Sequence, residues 1–338
     1  MINSFTWILW LMTVMVVTLS TRNPIYLILL LGGLFYLGHR LAINKNISGW
    51  IFLNLKFILT MVLLSTLING LFAHVGRSVL FAIPSGWPLI GGNITLESLL
   101  YGAINGLVIG VLYLLFNILN LALSIKQLTR LIPRAFNPVA MVVTIALTFF
   151  PSIQKRTREI KEAQMIRGNP MKKVSDWLPI FIPLLVSSLE NAILLAESMT
   201  ARGYHKQTDL RSPRALVSLI LASFLIFSGW ILQMYRFPNL VNISFYIFGA
   251  SLVAVTLIAL GKHANVTRYY QEKWKKTSRF SAVIIGIYLS GFVFLSSTGR
   301  LPTLSFSPYP QLIFPETQGF GFIFSMIPFL PLLVLHHD

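Results

Sequence analysis

Cysteine is absent from this chain of 338 residues, and acidic side chains are scarce. Without cysteine there is no disulfide framework, no thiolate metal site and no cysteine nucleophile. Only 10 residues are Asp or Glu, and all charged residues together make up 11% of the sequence. Because a soluble domain usually carries about 25% charged residues, this composition argues against a soluble protein.

Motifs for nucleotide binding and for metal-dependent hydrolysis are also missing. No Gly-x-x-x-x-Gly-Lys-Ser/Thr sequence occurs, so the chain cannot be its own ATPase. His-Glu-x-x-His and Gly-x-Ser-x-Gly are absent as well, and we expect no metal or other cofactor in this chain. Secondary transporters and pumps usually carry several carboxylates within their spans, and such residues are few here.

Long apolar runs dominate the sequence instead. Hydrophobic residues make up 55% of the chain, and the mean hydropathy is +0.73, so lipid must cover part of the surface. The runs are continuous rather than alternating, which predicts helices and not a closed barrel. We therefore predict an all-α polytopic membrane protein with about eight spans. They lie near 5–20, 23–39, 51–73, 98–119, 215–235, 241–261, 280–298 and 320–336.

The charge distribution predicts on which side each loop lies. A net charge of +17 would suggest nucleic acid as the partner of a soluble protein. Here the basic residues cluster in a few connecting segments, as in cytoplasmic loops, so the predicted partner is the lipid bilayer and not nucleic acid. Both termini are predicted to face the cytoplasm, in the plasma membrane. The start of the chain has no basic n-region, so it is interpreted as a first span and not as a cleaved signal.

Two loops carry few charges and are predicted to lie outside, 74–97 and 299–319. The first is rich in glycine and proline, and we expect a plain connector rather than a segment that folds back toward the membrane. Arg22 lies in a short turn that is also predicted outside. It is the one basic residue that does not fit the pattern.

A more highly charged block, 121–214, separates the N-terminal spans (1–120) from the C-terminal spans (215–338). It holds 14 of the 27 basic residues and six of the ten acidic ones. Its two apolar segments, 137–153 and 177–196, have basic residues at both ends, so neither is expected to cross the membrane once. Amphipathic helices on the cytoplasmic side are predicted there. The basic residues assigned mainly to anionic lipid headgroups are Lys155, Arg156, Arg158, Lys172 and Lys173.

The two predicted helices of this block end alike. The first ends Glu-Ala-Gln-Met-Ile-Arg-Gly over 162–168, and the second ends Glu-Ser-Met-Thr-Ala-Arg-Gly over 197–203. Arginine near a helix C-terminus and glycine just after it are common in any protein. That preference explains one such end well and two matched ends in one basic block less well. We therefore predict that both ends bind a partner.

This pattern resembles the T component of energy-coupling factor transporters, the CbiQ-like family. Members of that family carry two short Ala-Arg-Gly-type motifs at the ends of two cytoplasmic coupling helices. Residues 201–203 fit that motif fully, while 166–168 have Ile where Ala is usual. The runs 147–151 and 91–97 also look like the family. The resemblance covers about residues 20–235.

The resemblance implies a non-enzymatic coupling subunit. Two ABC-type ATPase subunits, which bind ATP and Mg²⁺, would each receive one helix end in a groove. Their closure would push the helices relative to each other, and a separate substrate-binding membrane subunit, the S component, would release a vitamin or transition-metal ion inside. The implied ATPase-binding residues are Ile166, Arg167, Gly168, Ala201, Arg202 and Gly203. The implied supporting residues are Glu162, Ala163 and Glu197.

Two other functions stay open on the residues alone. A membrane-embedded enzyme acting on a lipid-linked substrate would place its site in the central block. A metal-dependent transferase would need clustered Asp, and the block has only Asp176 and Asp209. A self-contained channel or carrier is the other alternative. The sequence does not name the cargo, and we expect the spans 51–73 and 98–119 to contact the S component.

Overall fold

The computed structural model describes residues 3–83, 92–133, 136–168, 177–203, 213–235, 239–263, 274–297, 304, 306–309 and 314–331. Helices form nearly all of the regular structure in these residues, which confirms the all-α polytopic fold class. The helices are α1 (Ser4–Ser20), α2 (Pro24–Asn44), α3 (Trp50–Phe72), α4 (Leu96–Ala122), α5 (Ile125–Arg130), α6 (Asn137–Ile166), α7 (Leu178–Ala201), α8 (Pro213–Met234), α9 (Asn239–His263), α10 (Lys276–Ser297) and α11 (Gly319–Ser325). A 3₁₀ turn covers Ile327–Phe329, and two strands, β1 (Val79–Ile83) and β2 (Gly92–Thr95), form a hairpin.

Seven of the described helices are long and apolar enough to cross a membrane, namely α2, α3, α4, α7, α8, α9 and α10. Helix α1 is apolar but shorter, with 17 residues. Seven of the eight predicted spans correspond to α1–α4 and α8–α10, with bounds that differ by a few residues. Helix α7 also passes this test of length and composition, whereas its basic flanks predict that it does not cross once. Its placement stays a prediction.

The eighth predicted span, 320–336, is not one helix in the residues that the structure describes. Helix α11 ends at Ser325, and the 3₁₀ turn follows it. Pro328 lies in that turn, and Pro331 comes just after it. Proline has no N–H to donate and clashes with the carbonyl four residues earlier, so the α-helix is not continued. Residues 332–338 lie outside the described part of the chain.

The chain divides into two compact units, Met1–Gln127 with Tyr270–Asp338, and Leu128–Tyr269. In the first unit α4 packs against α1, α2 and α3. Glycines spaced by four residues form the face of α4 that meets α3. A Cβ on Gly106 would lie 2.6 Å from the Cα atom of Val62, and one on Gly102 would lie 2.7 Å from the carbonyl oxygen of Ser65. Small residues at this spacing let two membrane helices approach closely.

Helix α10 packs beside α1 in the same direction. The hydroxyl oxygen of Ser278 accepts a hydrogen bond from the backbone N–H of Asn3 at 3.0 Å, in the first turns of the two helices. Trp10 and Ile285 line one small cavity further along both helices. The two helices are therefore parallel and begin on the same side of this unit. This agrees with the loop pattern, which puts the N-terminus and the segment before α10 on one side.

The residues around α11 bind α1 and α2 through buried and part-buried hydrogen bonds. The indole N–H of Trp10 donates to the carbonyl oxygen of Ile327 at 3.2 Å. The hydroxyl of Tyr26 accepts from the backbone N–H of Gln318 at 2.8 Å and donates to the carbonyl oxygen of the same residue at 3.2 Å. Both aromatic side chains are almost fully buried. The C-terminal segment is thus an integral part of this unit.

Residues 74–97 do not form the plain connector that the sequence suggested, because β1 and β2 pair as an antiparallel hairpin. The buried carboxylate of Glu97, in the first turn of α4, accepts hydrogen bonds from the backbone N–H groups of Arg77 and Ser78 at 3.3 and 3.1 Å. Gly76 has φ +138°, and a Cβ there would lie 2.6 Å from a carboxylate oxygen of Glu97. Charge-assisted hydrogen bonds of this kind fix a loop that composition alone leaves open. Residues 84–91 lie outside the described residues.

Arg22, which did not fit the predicted charge pattern, has protein partners. Its guanidinium donates to the hydroxyl of Tyr101 at 2.6 Å and lies 5.6 Å from the centre of that ring. Its backbone N–H donates to the carbonyl oxygen of Leu304 at 2.8 Å. An arginine held against an aromatic face is stabilised by the protein itself, so it carries little information on the side of the membrane.

In the second unit, α8 and α9 form an antiparallel pair built on small residues. A Cβ on Gly229 would lie 3.2 Å from the Cβ of Phe245, and one on Gly249 would lie 2.7 Å from the side chain of Ile226. The hydroxyl of Tyr246 donates to the side-chain oxygen of Gln233 at 3.0 Å. Close approach of two backbones at glycine again replaces a conventional side-chain core.

Candidate functional site

Helices α6 and α7 of the second unit carry the predicted site residues at their C-terminal ends. Helix α6 has 30 residues and α7 has 24, which makes them about 45 and 36 Å long. Each has proline in its first two positions, where a missing N–H is tolerated. Each also has one internal proline, Pro151 in α6 and Pro183 in α7. The apolar segment 137–153 and the amphipathic stretch after it belong to one continuous helix.

The end of α6 is closed by an arginine and a left-handed glycine. Arg167 is the C-cap residue, with φ −77° and ψ 5°, and Gly168 has φ +84°. The backbone N–H of Arg167 donates to the carbonyl oxygen of Ala163 at 3.2 Å, and that of Gly168 donates to Met165 at 3.0 Å. Glycine adopts a positive φ at little cost, so it can end a helix in this way.

The end of α7 repeats this geometry. Arg202 is the C-cap residue, with φ −83° and ψ 9°, and Gly203 has φ +77°. The backbone N–H of Arg202 donates to the carbonyl oxygen of Ser198 at 3.2 Å, and that of Gly203 donates to Thr200 at 2.9 Å. The two matched sequence ends are therefore also matched in backbone conformation and in hydrogen bonding.

Both helix ends are exposed. Arg167 and Arg202 are exposed, as are the residues before them, and Ile166 is 88% exposed. A Cβ added to Gly168 or Gly203 would meet no atom within 4 Å, so the backbone conformation and not crowding calls for glycine. Within the described residues neither arginine side chain has a hydrogen bond or an ion pair. Each guanidinium can therefore offer its donors to another molecule.

The predicted supporting residues contribute in different ways. Ala163 takes part through its carbonyl oxygen, which accepts from the N–H of Arg167. Glu197 accepts at its backbone carbonyl oxygen from the hydroxyl of Thr200 at 2.8 Å. Glu162 is exposed and lines a surface groove of α6. In the part of the chain that the structure describes, neither glutamate side chain forms an ion pair with its arginine.

The two ends lie at opposite ends of the α6–α7 pair. The side-chain amide of Gln164, in the last turn of α6, contacts the carbonyl oxygen of Pro179 near the start of α7 at 3.5 Å. Arg156, two turns earlier in α6, donates to the carbonyl oxygen of Ser187 at 3.3 Å. The pair is therefore antiparallel. Arg202 follows Pro179 by 202 − 179 = 23 residues, so it lies about 34 Å along α7 from the tip of α6.

Arg156, one of the residues assigned to lipid headgroups from the sequence, has partners within the protein. Its half-buried guanidinium donates to the carbonyl oxygen of Ser187 and, at 3.2 Å, to the side-chain oxygen of Asn191. These partners were not predicted because the sequence does not reveal which residues of α7 face α6, and binding of Arg156 to lipid headgroups stays a prediction. Lys155 is exposed and lies 3.9 Å from Glu159 of its own helix. Arg158 is exposed, and the other assigned residues, Lys172 and Lys173, lie outside the described residues.

Comparison with known families covers both of these helices. The profile of the CbiQ family, described as cobalt transport protein, matches residues 3–213. The match begins earlier and ends earlier than the resemblance seen in the sequence, which spans about 20–235. Helix α8 begins at the last matched residue, and α9 to α11 and the 3₁₀ turn lie beyond the match.

Individual relatives carry a more detailed name. An energy-coupling factor transporter transmembrane protein EcfT from Bacillus selenitireducens is 29% identical over 234 residues, 62% of this chain and 82% of the relative. The protein of the same name from Bacillus subtilis is 28% identical over 240 residues, 63% of this chain and 86% of the relative. One from Acidaminococcus fermentans is 46% identical over 72 residues, 20% of this chain and 27% of the relative. These relatives and the profile together confirm the resemblance, and the chain belongs to the CbiQ family.

Proposed function

We propose that this chain is the energy-coupling transmembrane subunit of an energy-coupling factor importer. Helices α6 and α7 are its coupling helices, and Arg167 and Arg202 each anchor one of two ABC-type ATPase subunits. ATP and Mg²⁺ bind to those partners and not to this chain. A separate S component in the plasma membrane carries the cargo, a vitamin or a transition-metal ion, and both termini face the cytoplasm.

The observation that carries the proposal is the pair of matched, exposed arginine ends. Each arginine stands at a C-cap, followed by a glycine with a positive φ and open space around it. A single arginine at a helix end is favoured by the helix dipole alone. Two ends that agree in sequence, conformation and exposure indicate two equivalent binding events. Two copies of one kind of subunit, or two related subunits, would provide them.

The distance between the ends supports one ATPase subunit for each arginine. The ends are about 34 Å apart along α7, which is about the diameter of a small domain. One groove cannot hold both arginines, whereas two neighbouring subunits can each hold one. A relative movement of the two subunits would then act on opposite ends of a single helix pair, which is how closure of the ATPases would reach the membrane.

The chemistry of each end suits a protein groove. Arginine presents a planar fork of five donors, keeps its charge when partly buried and can bind carboxylates or backbone carbonyls. Ile166 is exposed next to Arg167 and adds apolar contact area that a groove can cover. A desolvated arginine is a typical hot spot of an interface. Truncation of such a residue to alanine costs about 2 kcal/mol or more of binding free energy.

The apolar surface of α7 supports a role within an assembly. Along the full length of α7 only Ile180 is buried, and large apolar residues are exposed on the rest of the helix. Examples include Phe181, Leu185, Leu189 and Ile193. A contiguous exposed patch of this kind marks contact with lipid or with another protein. An S component in the bilayer and the acyl chains around it would supply both.

Co-purification with the ATPases tests the proposal. The chain is expressed with two ABC-type ATPase subunits and an S-component membrane protein of the same organism, and the complex is isolated through a tag on this chain. We expect Arg167→Ala or Arg202→Ala to weaken ATPase binding about 30-fold, the equivalent of about 2 kcal/mol. The double variant is expected to lose the ATPases altogether, because both anchors are removed.

Arg158→Ala is the matched control, since Arg158 is an exposed arginine of the same helix away from its end. Circular dichroism and gel filtration of each variant report whether it is folded. If the folded double variant retains the ATPases with unchanged affinity, the proposed anchors are wrong. Loss of binding in the Arg158 variant to the same extent would show that total positive charge, and not position, holds the ATPases.

A further inference from the structure

Helix α7 contains a proline that removes one of its backbone hydrogen bonds. Pro183 has no N–H, so the carbonyl oxygen of Pro179, four residues earlier, lacks its usual helical donor. The proline ring also pushes that carbonyl away from the helix axis. A helix is expected to bend most easily at such a point. Yet α7 must be stiff along its length if a push at Arg202 is to be passed on.

Helix α6 supplies contacts on both sides of this weak point. On one side, the side-chain amide of Gln164 donates to the very carbonyl oxygen of Pro179 that Pro183 leaves without a donor. On the other side, Arg156 donates to the carbonyl oxygen of Ser187. Arg156 and Gln164 are eight residues apart, and so are Pro179 and Ser187, with Pro183 midway. Eight residues correspond to about 12 Å of helix.

The Arg156 contact is the stronger of the two by geometry and charge. One nitrogen of the guanidinium donates to Ser187 at 3.3 Å and another donates to the side-chain oxygen of Asn191 at 3.2 Å. The amide nitrogen of Asn191 donates in turn to the Ser187 carbonyl oxygen at 2.8 Å. Arginine therefore closes a small network whose members lie in consecutive turns of α7. The Gln164 contact is longer, 3.5 Å, and neutral.

We infer that α6 braces α7 across Pro183, with Arg156 and Gln164 as the two positioning residues. The inference rests on the proposed function, because it concerns how a push at the Arg202 end is passed along α7. With the brace in place α7 stays straight at Pro183, and a displacement of the Arg202 end reaches the other end of the helix. Without it α7 bends at Pro183 and takes up the displacement locally. Pro183 thus makes α7 dependent on α6.

Pulsed electron paramagnetic resonance on the full chain tests the brace directly. The chain has no cysteine, so spin labels can be attached at Leu178→Cys and Leu194→Cys without removing any native site. Both positions are exposed, lie on either side of Pro183 and are 16 residues apart, about 24 Å along a straight helix. We expect one narrow distance peak in the otherwise native chain, measured in lipid nanodiscs.

Removal of the brace is expected to broaden that peak and shorten its mean distance. Arg156→Gln should broaden it more than Gln164→Ala does, since charge-assisted hydrogen bonds are stronger than neutral ones. Arg158→Gln, two residues away on the exposed face, is the matched control and should leave the peak unchanged. An unchanged peak in the Arg156→Gln, Gln164→Ala double variant would overturn the inference.

Pro183→Ala separates a brace from ordinary packing. Alanine restores the missing N–H, so α7 no longer needs support at that point. We expect the narrow peak to return when Pro183→Ala is added to the Arg156→Gln, Gln164→Ala double variant. A general loss of packing would not be repaired by a single substitution in α7. A peak that stays broad in the triple variant would therefore also contradict the brace.

A last measurement in the complete complex links the brace to coupling. The Leu178→Cys and Leu194→Cys labels report the span of α7 across Pro183 before and after addition of ATP and Mg²⁺. We expect ATP to leave this distance unchanged in the otherwise native chain, to shorten it in the Arg156→Gln, Gln164→Ala double variant, and to leave it unchanged again when Pro183→Ala is added, while ATPase binding stays the same in all of them. If the ATPases remain bound and the distance is also constant without the brace, this inference fails and the proposed function stands. If instead the Arg167→Ala, Arg202→Ala variant keeps its ATPases, the proposed function fails whatever the spectra show.

Discussion

The α3–α4 interface and the ends of α6 and α7 use glycine for opposite reasons. Gly102 and Gly106 lie in ordinary helix, where a Cβ would collide with the backbone of α3. Gly168 and Gly203 have open space around them and a positive φ. In the first case glycine is required by a neighbouring helix, and in the second by its own backbone. The first pair therefore maintains the fold, and the second shapes two exposed ends.

Burial separates the two regions in the same way. In the first unit, α4 buries a face from Glu97 to Ile118, and the C-terminal segment covers the buried side chains of Trp10 and Tyr26 and forms hydrogen bonds with both. Helix α7 buries one residue, Ile180. The first unit already has its partners within the chain, whereas the α6–α7 pair has most of its surface still to be covered. Substitutions in the first unit should thus alter stability, and those at the helix ends should alter partner binding.

Gly106→Ala is expected to have the largest effect and to act on stability alone. The new Cβ would lie 2.6 Å from the Cα atom of Val62, so α3 and α4 must move apart. Overpacking of this kind costs about 1–3 kcal/mol of unfolding free energy. Thermal unfolding in detergent should show a lower midpoint, while the molecules that remain folded should bind the ATPases with native affinity.

Gly32→Ala is the control, and its unfolding midpoint is not expected to fall. Gly32 lies in α2 with no atom within 4 Å of an added Cβ, and alanine stabilises a helix interior by about 0.5–1 kcal/mol relative to glycine. Its unfolding midpoint should stay the same or rise. An unchanged midpoint for Gly106→Ala would mean that the α3–α4 interface is looser than the structure has it, and the contrast between the two kinds of glycine would disappear.

Sequence reasoning predicted the spans well because hydropathy dominates them. Seven of the eight predicted segments are helices in the structure, and the exception, 320–336, is interrupted where Pro328 and Pro331 follow α11. The glycines at 102, 106 and 110 have the four-residue spacing of a close helix interface. The sequence shows this spacing but does not identify the helix that packs against it. Only the fold reveals that α3 is that partner. The hairpin before α4 was missed for a related reason, since Glu97 organises backbone groups about 20 residues away.

In the candidate site, too, the features with a local sequence signal were predicted and those that depend on long-range contacts were not. The two arginine ends were predicted because their signal is local, a glutamate five residues before an arginine and a glycine after it. The antiparallel contact of α6 with α7 was not predicted, and Arg156 was assigned to lipid. Its partners, Ser187 and Asn191, are 31 and 35 residues away, and no spacing in the sequence pairs them. Long-range pairing needs the fold, whereas helix termination does not.

Gly168→Ala and Gly203→Ala together are expected to give the reverse of the Gly106→Ala result. Alanine is disfavoured by about 1–2 kcal/mol at a positive φ, so each helix end should unwind or change direction. ATPase affinity should fall about tenfold for each substitution, the equivalent of about 1.4 kcal/mol. The unfolding midpoint of the chain alone should stay unchanged, because these residues pack against nothing. A lower midpoint with native ATPase affinity would assign these glycines to the fold and not to the partner.

Tyr26→Phe should have the smallest effect and should sharpen the contrast within the first unit. The phenol hydroxyl exchanges two part-buried hydrogen bonds with the backbone of Gln318, an exposed residue, and both are lost. Because water can reach the groups left behind, loss of the two bonds is expected to cost about 1 kcal/mol in total, the low end of the range for such bonds. Hydrogen exchange should speed up at Gln318 and in α11, while the exchange of α6 and α7 stays as it is.

Tyr36→Phe is the matched control, since Tyr36 lies on the same helix with its side chain half exposed. Residues 314–331 lie beyond the part that matches the family profile, whereas α2 lies within it. Faster exchange in 314–331 in the Tyr26 variant alone would show that α2 holds this C-terminal segment in place. Equal exchange in both variants would mean that apolar packing, including the edge-on contact of Tyr26 with Phe322, holds the segment without help from the hydroxyl.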